Sequence, residues 1–281
     1  MSDVATGVVD LIVLIVVALV PALLYLTWVR GTERAGRPSW GDILKAFAYG
    51  ALFATIVAAI LETVIVELGT AASSSLPGPE FLFLNGNSTW GAFFLVLVVA
   101  PFIEEALKAS GVAASGSKVR QLADGPVFGA SVGLGFGFFE TFLYGLAAFL
   151  VGGLPAGIAL ILVRSVSSVL LHGSSTGMFG YGYARSKFRV PGPGSGAYYL
   201  LAVLMHATFN ALASLATILL LVGVSGLAAD AASVIALFAA IAFAFGAIEH
   251  VRGVIQTSDY PALQAGARRF GPGSGRPPKS S

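Results

Sequence analysis

The chain has 281 residues, of which 56% are hydrophobic and only 11% are charged, and its mean hydropathy is +0.86. A soluble domain has about a quarter of its residues charged, so this composition excludes an ordinary soluble fold and indicates an integral, multi-pass membrane protein. Cysteine is absent, which excludes disulfides, thiolate metal ligands and cysteine catalysis. The net charge of +2 gives no reason to expect nucleic acid as a partner.

Apolar runs of the roughly 20 residues needed to cross a bilayer predict about seven transmembrane helices. The first run lacks a basic flank and is too long for a signal peptide, so it is predicted to be a retained helix. The fold class is therefore all-α, a polytopic transmembrane helix bundle. The predicted helices cover residues 4–29, 43–69, 90–113, 126–151, 155–184, 197–222 and 227–251.

Basic residues occur in every second connection and in the tail, and the alternate connections contain no Lys or Arg. By the positive-inside rule, the amino terminus is predicted to lie outside and the carboxyl terminus in the cytoplasm. Residues 1–257 are predicted to form one membrane domain with a motif-bearing core at about 90–222. The Gly-, Pro- and Ser-rich residues 258–281 are predicted to be a disordered cytoplasmic tail. The basic residues are Arg30, Arg34, Arg37, Lys45, Lys118, Arg120, Arg185, Lys187, Arg189, Arg252, Arg268, Arg269, Arg276 and Lys279.

Five ionisable residues lie inside the predicted helices at similar depths. Counted from the predicted cytoplasmic ends, they occupy a layer roughly 13 to 21 Å from that surface. Charged groups at membrane depth are costly unless they meet a partner or a water-filled cavity, so they are candidates for function. The alternative is that each one only hydrogen-bonds a neighbouring helix. The five residues are Glu104, Glu105, Glu140, His172 and His206.

Helical spacing predicts how two of these segments are arranged. Glu104 and Lys108 are four residues apart on one helix face, whereas Glu105 points about 100° away. The structural alternative is that Lys108 extends to the cytoplasmic interface and only pairs with Glu104. His206 and Asn210 are also one turn apart, which gives that helix a single polar face.

A glycine at every fourth position leads towards Glu140 and predicts close packing against another helix. Arg164 lies in the same predicted helix as His172. Its predicted partner is Glu62, at a comparable depth, and the alternative is that Arg164 orients a substrate carbonyl. The stripe consists of Gly125, Gly129, Gly133 and Gly137.

Two imidazoles and several carboxylates, without cysteine, are typical of zinc-dependent hydrolysis. His and carboxylate ligands leave a position for a water molecule, whose pKa the metal lowers to about 7. The sequence lacks the His-Glu-x-x-His motif, in which two ligands share one helix. A metal site would therefore be assembled from separate helices.

The order of these motifs resembles that of the PrsW-type intramembrane proteases, relatives of the CAAX-processing and bacteriocin-immunity membrane proteases. The motifs are Glu-Glu-x-x-Lys at 104–108, Phe-x-x-x-Glu at 136–140, His172, and His-x-x-x-Asn at 206–210. CAAX enzymes would have Arg at position 109 and His at position 140, where this chain has Ala and Glu. The resemblance covers about residues 102–210 and implies cleavage of a membrane-anchored protein, in the plasma membrane of a prokaryote.

The resulting hypothesis assigns Glu140, His172 and His206 as zinc ligands. Glu104 or Glu105 is the base that activates water, with Glu105 favoured because Lys108 would hold Glu104. Asn210 is assigned as a hydrogen-bond donor to the developing oxyanion. A metal-free mechanism, in which glutamate and histidine activate water directly, remains an alternative.

Two other classes of protein also bury Glu and His in a membrane. A proton-coupled transporter uses such residues as proton relays, but seven helices do not divide into paired halves and no internal duplication is visible. A noncatalytic membrane scaffold could also retain the fold. The sequence leaves the substrate and the oligomeric state open.

Overall fold

The structure is a computed structural model. It describes residues 3–75, 85, 88–221 and 223–270, with side chains for 5–73, 85, 88–220 and 223–259. Every regular element in this part of the chain is helical. Two segments, which we call π1 and π2, are π-helical. In chain order the elements are α1 (Asp3–Thr32), α2 (Trp40–Ala48), π1 (Tyr49–Ala54), α3 (Thr55–Ser75), α4 (Thr89–Phe94), π2 (Leu95–Val99), α5 (Ala100–Ala114), α6 (Asp124–Ser165), α7 (Ser168–Lys187), α8 (Ser195–Ala213), α9 (Leu215–Leu221) and α10 (Leu227–Phe270).

The described helices include six runs that are long and apolar enough to cross a membrane. One of them, Asp124–Lys187, has 64 residues, about three times the length needed for one crossing. It contains a break at Gly153, whose φ of 74° is left-handed, followed by Pro155. The predicted all-helical, polytopic architecture with about seven helices is confirmed. The other five runs are Ala5–Thr32, Trp40–Ser73, Thr89–Ala114, Ser195–Ala213 and Leu227–Asp259.

The predicted glycine stripe lies where α6 and α7 pack against each other in opposite directions. A Cβ atom at Gly129 would lie 2.2 Å from the carbonyl oxygen of Thr176, and one at Gly133 would lie 2.0 Å from that of His172. No other residue fits there without moving a backbone, because real Cβ atoms essentially never approach so closely. The two backbones are therefore in direct contact, and this contact fixes the height of His172 relative to α6.

The segment π1 packs against the opposite side of α6. A Cβ atom at Gly50 would lie 1.9 Å from the carbonyl oxygen of Val132, and one at Gly135 would lie 2.0 Å from that of Phe47. The helix α6 is thus held between π1 and α7 by backbone contacts on both sides. Both π1 and π2 lie near the polar layer, and π-helical turns occur frequently at functional sites.

Buried acidic residues connect α1, α6 and α10 at one end of the bundle. The Asp259 carboxylate accepts hydrogen bonds from the backbone N–H groups of Arg34 (2.6 Å) and Ala35 (3.0 Å). Glu33 is fully buried and accepts a hydrogen bond from the Gln121 amide. The pKa of the Glu33 carboxyl is raised to about 8, mainly by burial and also by a hydrogen bond to the neighbouring Asp124 carboxyl and by its charge.

The carboxyl-terminal helix α10 is longer than the sequence predicts. It runs to Phe270, past residue 258, where the predicted tail begins. The predicted tail beyond Phe270 lies outside the described residues.

Candidate functional site

The polar layer converges on one buried group of three metal-ligating side chains from α5, α7 and α8. Glu104, His172 and His206 each offer one donor atom, and these atoms lie within 4.8 Å of one another. Glu104 Oε2 is 4.0 Å from His172 Nδ1 and 3.8 Å from His206 Nε2. All three residues are at most 6% exposed. The layer predicted from helix depth therefore corresponds to a compact site.

His172 is held through both of its ring nitrogens. Lys108 Nζ lies 2.9 Å from Nδ1, and Glu140 Oε2 lies 2.8 Å from Nε2. An ammonium group only donates hydrogen bonds and a carboxylate only accepts them. Nδ1 therefore accepts from Lys108, and Nε2 carries the hydrogen that is donated to Glu140.

Within the described part of the chain, His206 is held through one ring nitrogen. Its Nδ1 lies 3.1 Å from Glu105 Oε1, so Nδ1 carries the hydrogen, and Nε2 faces Glu104 with a free lone pair. The Glu105 carboxylate also accepts hydrogen bonds from Ser175 (3.0 Å) and Thr176 (3.4 Å). Both Glu105 oxygens thus have protein partners, and the residue is only 1% exposed.

Lys108 pairs more closely with Glu105 than with Glu104. Its Nζ atom is 2.8 Å from Glu105 Oε1 and 3.5 Å from Glu104 Oε2. Lys108 is fully buried and its ammonium lies 4.3 Å from the centre of the Phe136 ring. The alternative in which Lys108 extends to the interface is therefore wrong. Glu105 was favoured as the base because Lys108 was expected to hold Glu104. That reason is reversed, because Lys108 lies closer to Glu105.

Arg164 binds Glu140, not the predicted partner Glu62. Its Nη2 donates to Glu140 Oε2 at 2.7 Å and to the Ser168 hydroxyl at 2.9 Å. The prediction of an Arg164–Glu62 pair was wrong because Glu140, on the same hairpin of α6 and α7, is within direct reach. Glu62 Oε1 is buried and has no hydrogen-bond partner within the described part of the chain.

Many residues of the site, including Glu140 and Arg164, line a cavity of about 450 Å³. This volume is within the range of small-ligand sites. Of the paired carboxylates at 104 and 105, only Glu104 reaches it. Asn210 lines it too, although one amide hydrogen is donated to the Val96 carbonyl at 2.8 Å. No motif or spacing predicted that Tyr144 and Ser168 belong to this wall. The polar lining residues are Thr55, Glu62, Glu104, Glu140, Tyr144, Arg164, Ser168, His172, His206, Asn210 and Ser214.

The chemistry of this donor set fits a metal ion. Two imidazole nitrogens and one carboxylate oxygen form one of the ligand sets of catalytic zinc, in which tetrahedral donors lie roughly 3.3 to 3.5 Å apart. The separations of 3.8 and 4.0 Å exceed this by a few tenths of an ångström, which small side-chain movements can close. The Lys108 ammonium contacts two of the three donors, so it is the group that a metal ion would displace.

The fold and the site define a polytopic membrane protein with a buried Glu/His/His centre, an arrangement suited to hydrolysis within the bilayer. The sequence profile of the PrsW family intramembrane metalloproteases matches residues 38–247. The chain belongs to this family. The match covers α2, α3 and the first half of α10 as well as the motif region, and it implies that the chain is a peptidase. No curated protein and no solved structure matches the chain.

Proposed function

We propose that the chain is a zinc-dependent endopeptidase that hydrolyses a peptide bond of a membrane-anchored protein inside the 450 Å³ cavity. The observation that carries this proposal is the convergence of Glu104, His172 and His206 on one point of the cavity wall. Family membership supports the reaction class and implies a metal ion. The choice of zinc comes from the two-imidazole, one-carboxylate donor set.

In this proposal Glu104 replaces Glu140 as the carboxylate ligand. Glu105 and Glu140 instead accept hydrogen bonds from the ring nitrogens of His206 and His172. Such carboxylate–histidine pairs fix the orientation of a ligating imidazole and increase its basicity. For His206 the hydrogen bond leaves Nε2 free beside Glu104. For His172 the nitrogen beside Glu104 is Nδ1, which becomes free when Lys108 moves away.

Glu140 is the carboxylate best placed to exchange protons with a substrate. It lines the cavity, and within the described part of the chain its hydrogen bonds are all made by Oε2, which leaves Oε1 available. A bound zinc ion would polarise the scissile carbonyl and supply a water molecule of lowered pKa. Glu140 Oε1 takes the proton of the attacking water and returns it to the leaving amine. The second amide hydrogen of Asn210 is free to stabilise the oxyanion.

One observation favours the metal-free mechanism instead. The Lys108 ammonium already contacts Glu104 Oε2 and His172 Nδ1, where it provides the positive charge that a metal ion would bring. In that case Glu104, a cavity carboxylate that lies 4.0 Å from His172 and 3.8 Å from His206, activates water directly. Metal analysis of the active enzyme separates the two mechanisms.

The experiment measures cleavage of a panel of single-span membrane proteins by the purified chain in liposomes, together with bound zinc. We expect Glu104→Gln and His206→Ala to lose both zinc and cleavage, and Glu140→Gln to lose cleavage and keep zinc. Glu67→Gln is the control, because Glu67 is exposed on α3 and lies outside the cavity.

Three outcomes would contradict parts of the proposal. Loss of zinc in Glu140→Gln but not in Glu104→Gln would restore Glu140 as the ligand. Cleavage that survives chelation in a protein without bound metal would establish the metal-free mechanism. A folded wild-type protein that binds no metal and cuts nothing in the panel would favour the transporter or scaffold class.

A further inference from the structure

Glu62 is a partly buried acidic side chain that the proposed mechanism does not use. It lies on α3 and lines the cavity, and its Oε1 atom is buried without a hydrogen-bond partner in the described part of the chain. An unpaired carboxylate at membrane depth is strongly unfavourable. A residue with this cost is expected to have a partner that the chain itself does not supply.

The cations of the site are already bound to other carboxylates. Arg164 donates to Glu140 at 2.7 Å, and Lys108 lies 2.8 Å from Glu105. Glu104 contacts Lys108 at 3.5 Å and serves as a metal ligand in the proposed function. Glu62 is therefore the cavity carboxylate whose negative charge is not compensated, and the cavity has a place for one more positive charge.

The wall that leads to Glu62 suits a long side chain with an apolar stem. Thr55, Ala58 and Ala59 precede Glu62 on the same face of α3, because their spacings of seven, four and three residues return to one side of a helix. All four line the cavity, together with Leu95 and Val96 of π2. Small side chains beside a terminal carboxylate leave room for the methylene chain of lysine or arginine, whose charged end then meets the carboxylate.

We infer that Glu62 is a specificity residue that binds a lysine or arginine side chain of the substrate, near the peptide bond to be cut. The inference rests on the proposed function, because it assumes that the cavity holds a polypeptide substrate. A charge-assisted hydrogen bond in a site of low dielectric contributes enough to favour the basic substrate by about ten- to a hundredfold in kcat/KM.

The test uses one single-span membrane protein that the purified enzyme cleaves, with each of six residues on either side of the cut changed in turn to Lys, Gln or Glu. For the wild type, we expect Lys to exceed Gln in kcat/KM by at least tenfold at one position. Glu62→Gln should bring that ratio to within twofold of one, and Glu62→Lys should make Glu the preferred residue. Glu67→Gln on the same helix should keep the wild-type ratio.

Stability distinguishes specificity from a structural role. Because Glu62 is unpaired in the described part of the chain, Glu62→Gln should resist unfolding in SDS at least as well as the wild type. A clear loss of stability would show that Glu62 has a structural partner and would overturn the inference. Equal Lys-to-Gln ratios in wild type and Glu62→Gln would also overturn it, while cleavage of the Gln series would leave the proposed function standing. Failure to cleave any substrate would refute both.

Discussion

Lys108→Met tests the central electrostatic feature of the site, a fully buried ammonium group among the candidate metal ligands. This group lies 2.8 Å from Glu105, 3.5 Å from Glu104 and 2.9 Å from His172 Nδ1. Methionine preserves most of the volume and removes the charge. Two buried carboxylates then lose their cation, and the imidazole nitrogen becomes free.

Breaking a buried ion pair from one side costs about 3 to 5 kcal/mol, because the remaining charge stays buried without compensation. We therefore expect metal-free Lys108→Met to be less stable than the wild type by about this amount. Zinc should recover much of the loss, because it brings positive charge to Glu104. Zinc should also bind at least tenfold more tightly to the variant, since no ammonium has to be displaced.

The assay is SDS-induced unfolding of both proteins in mixed micelles, with and without zinc, combined with a zinc-binding titration. Lys118→Met is the control, because Lys118 is 48% exposed and pairs with Asp42 at 3.5 Å, so its loss should cost at most about 1 kcal/mol. Weaker zinc binding in Lys108→Met, or a destabilisation that zinc does not reduce, would refute the view that ammonium and metal compete for the same donors.

Three further predictions concern the residues that support the site. Gly133→Ala should abolish cleavage and destabilise the fold, because the new Cβ atom would lie 2.0 Å from the His172 carbonyl oxygen. Gly246→Ala is the control and should be neutral in activity and stability assays, because a Cβ atom there would meet nothing within 4 Å. Glu140→Ala should bind zinc more weakly than Glu140→Gln, because the amide oxygen of glutamine can still accept the His172 hydrogen bond; equal zinc affinities would argue against the orienting role. The free energy of unfolding should fall by about 1.4 kcal/mol per pH unit between pH 5 and 8. The reason is that the pKa of Glu33 is about 8 in the folded protein against 4.5 in the unfolded chain, so folding favours the protonated carboxyl and this contribution is lost as the pH rises. Glu33→Gln should flatten this slope in unfolding titrations, and an unchanged slope would assign it to another group.

Much of the site was predictable because the bilayer limits where polar groups can go. The depths of Glu104, His172 and His206 followed from counting residues along helices that each cross once. The glycine stripe predicted a close helix contact, which the structure places between α6 and α7. Such inferences succeed because both helix length and polar burial are fixed by the surrounding solvent.

The pairing of individual charges could not be predicted from spacing. An (i, i+4) pair, Glu104–Lys108, was expected, but the shorter contact is the (i, i+3) pair with Glu105. Helical spacing permits both, and the neighbouring His172 Nδ1 decides where the ammonium sits. Likewise, Glu62 was the predicted partner of Arg164 because of its comparable depth, but Arg164 binds Glu140. The choice of Glu140 depends on the α6–α7 hairpin, which sequence depth alone does not specify.

The site contains two parallel chains of contacts, each running from a cation through a carboxylate to an imidazole. Lys108, Glu105 and His206 form one chain, and Arg164, Glu140 and His172 form the other. Each cation compensates the negative charge of its carboxylate, and each carboxylate fixes the hydrogen on its imidazole. The chains differ at one atom, because Lys108 also contacts His172 Nδ1, whereas His206 Nε2 has no hydrogen-bond partner within the described part of the chain. In the proposed metal site His172 can therefore act as a ligand only when Lys108 moves away, which is why Lys108→Met is expected to strengthen zinc binding.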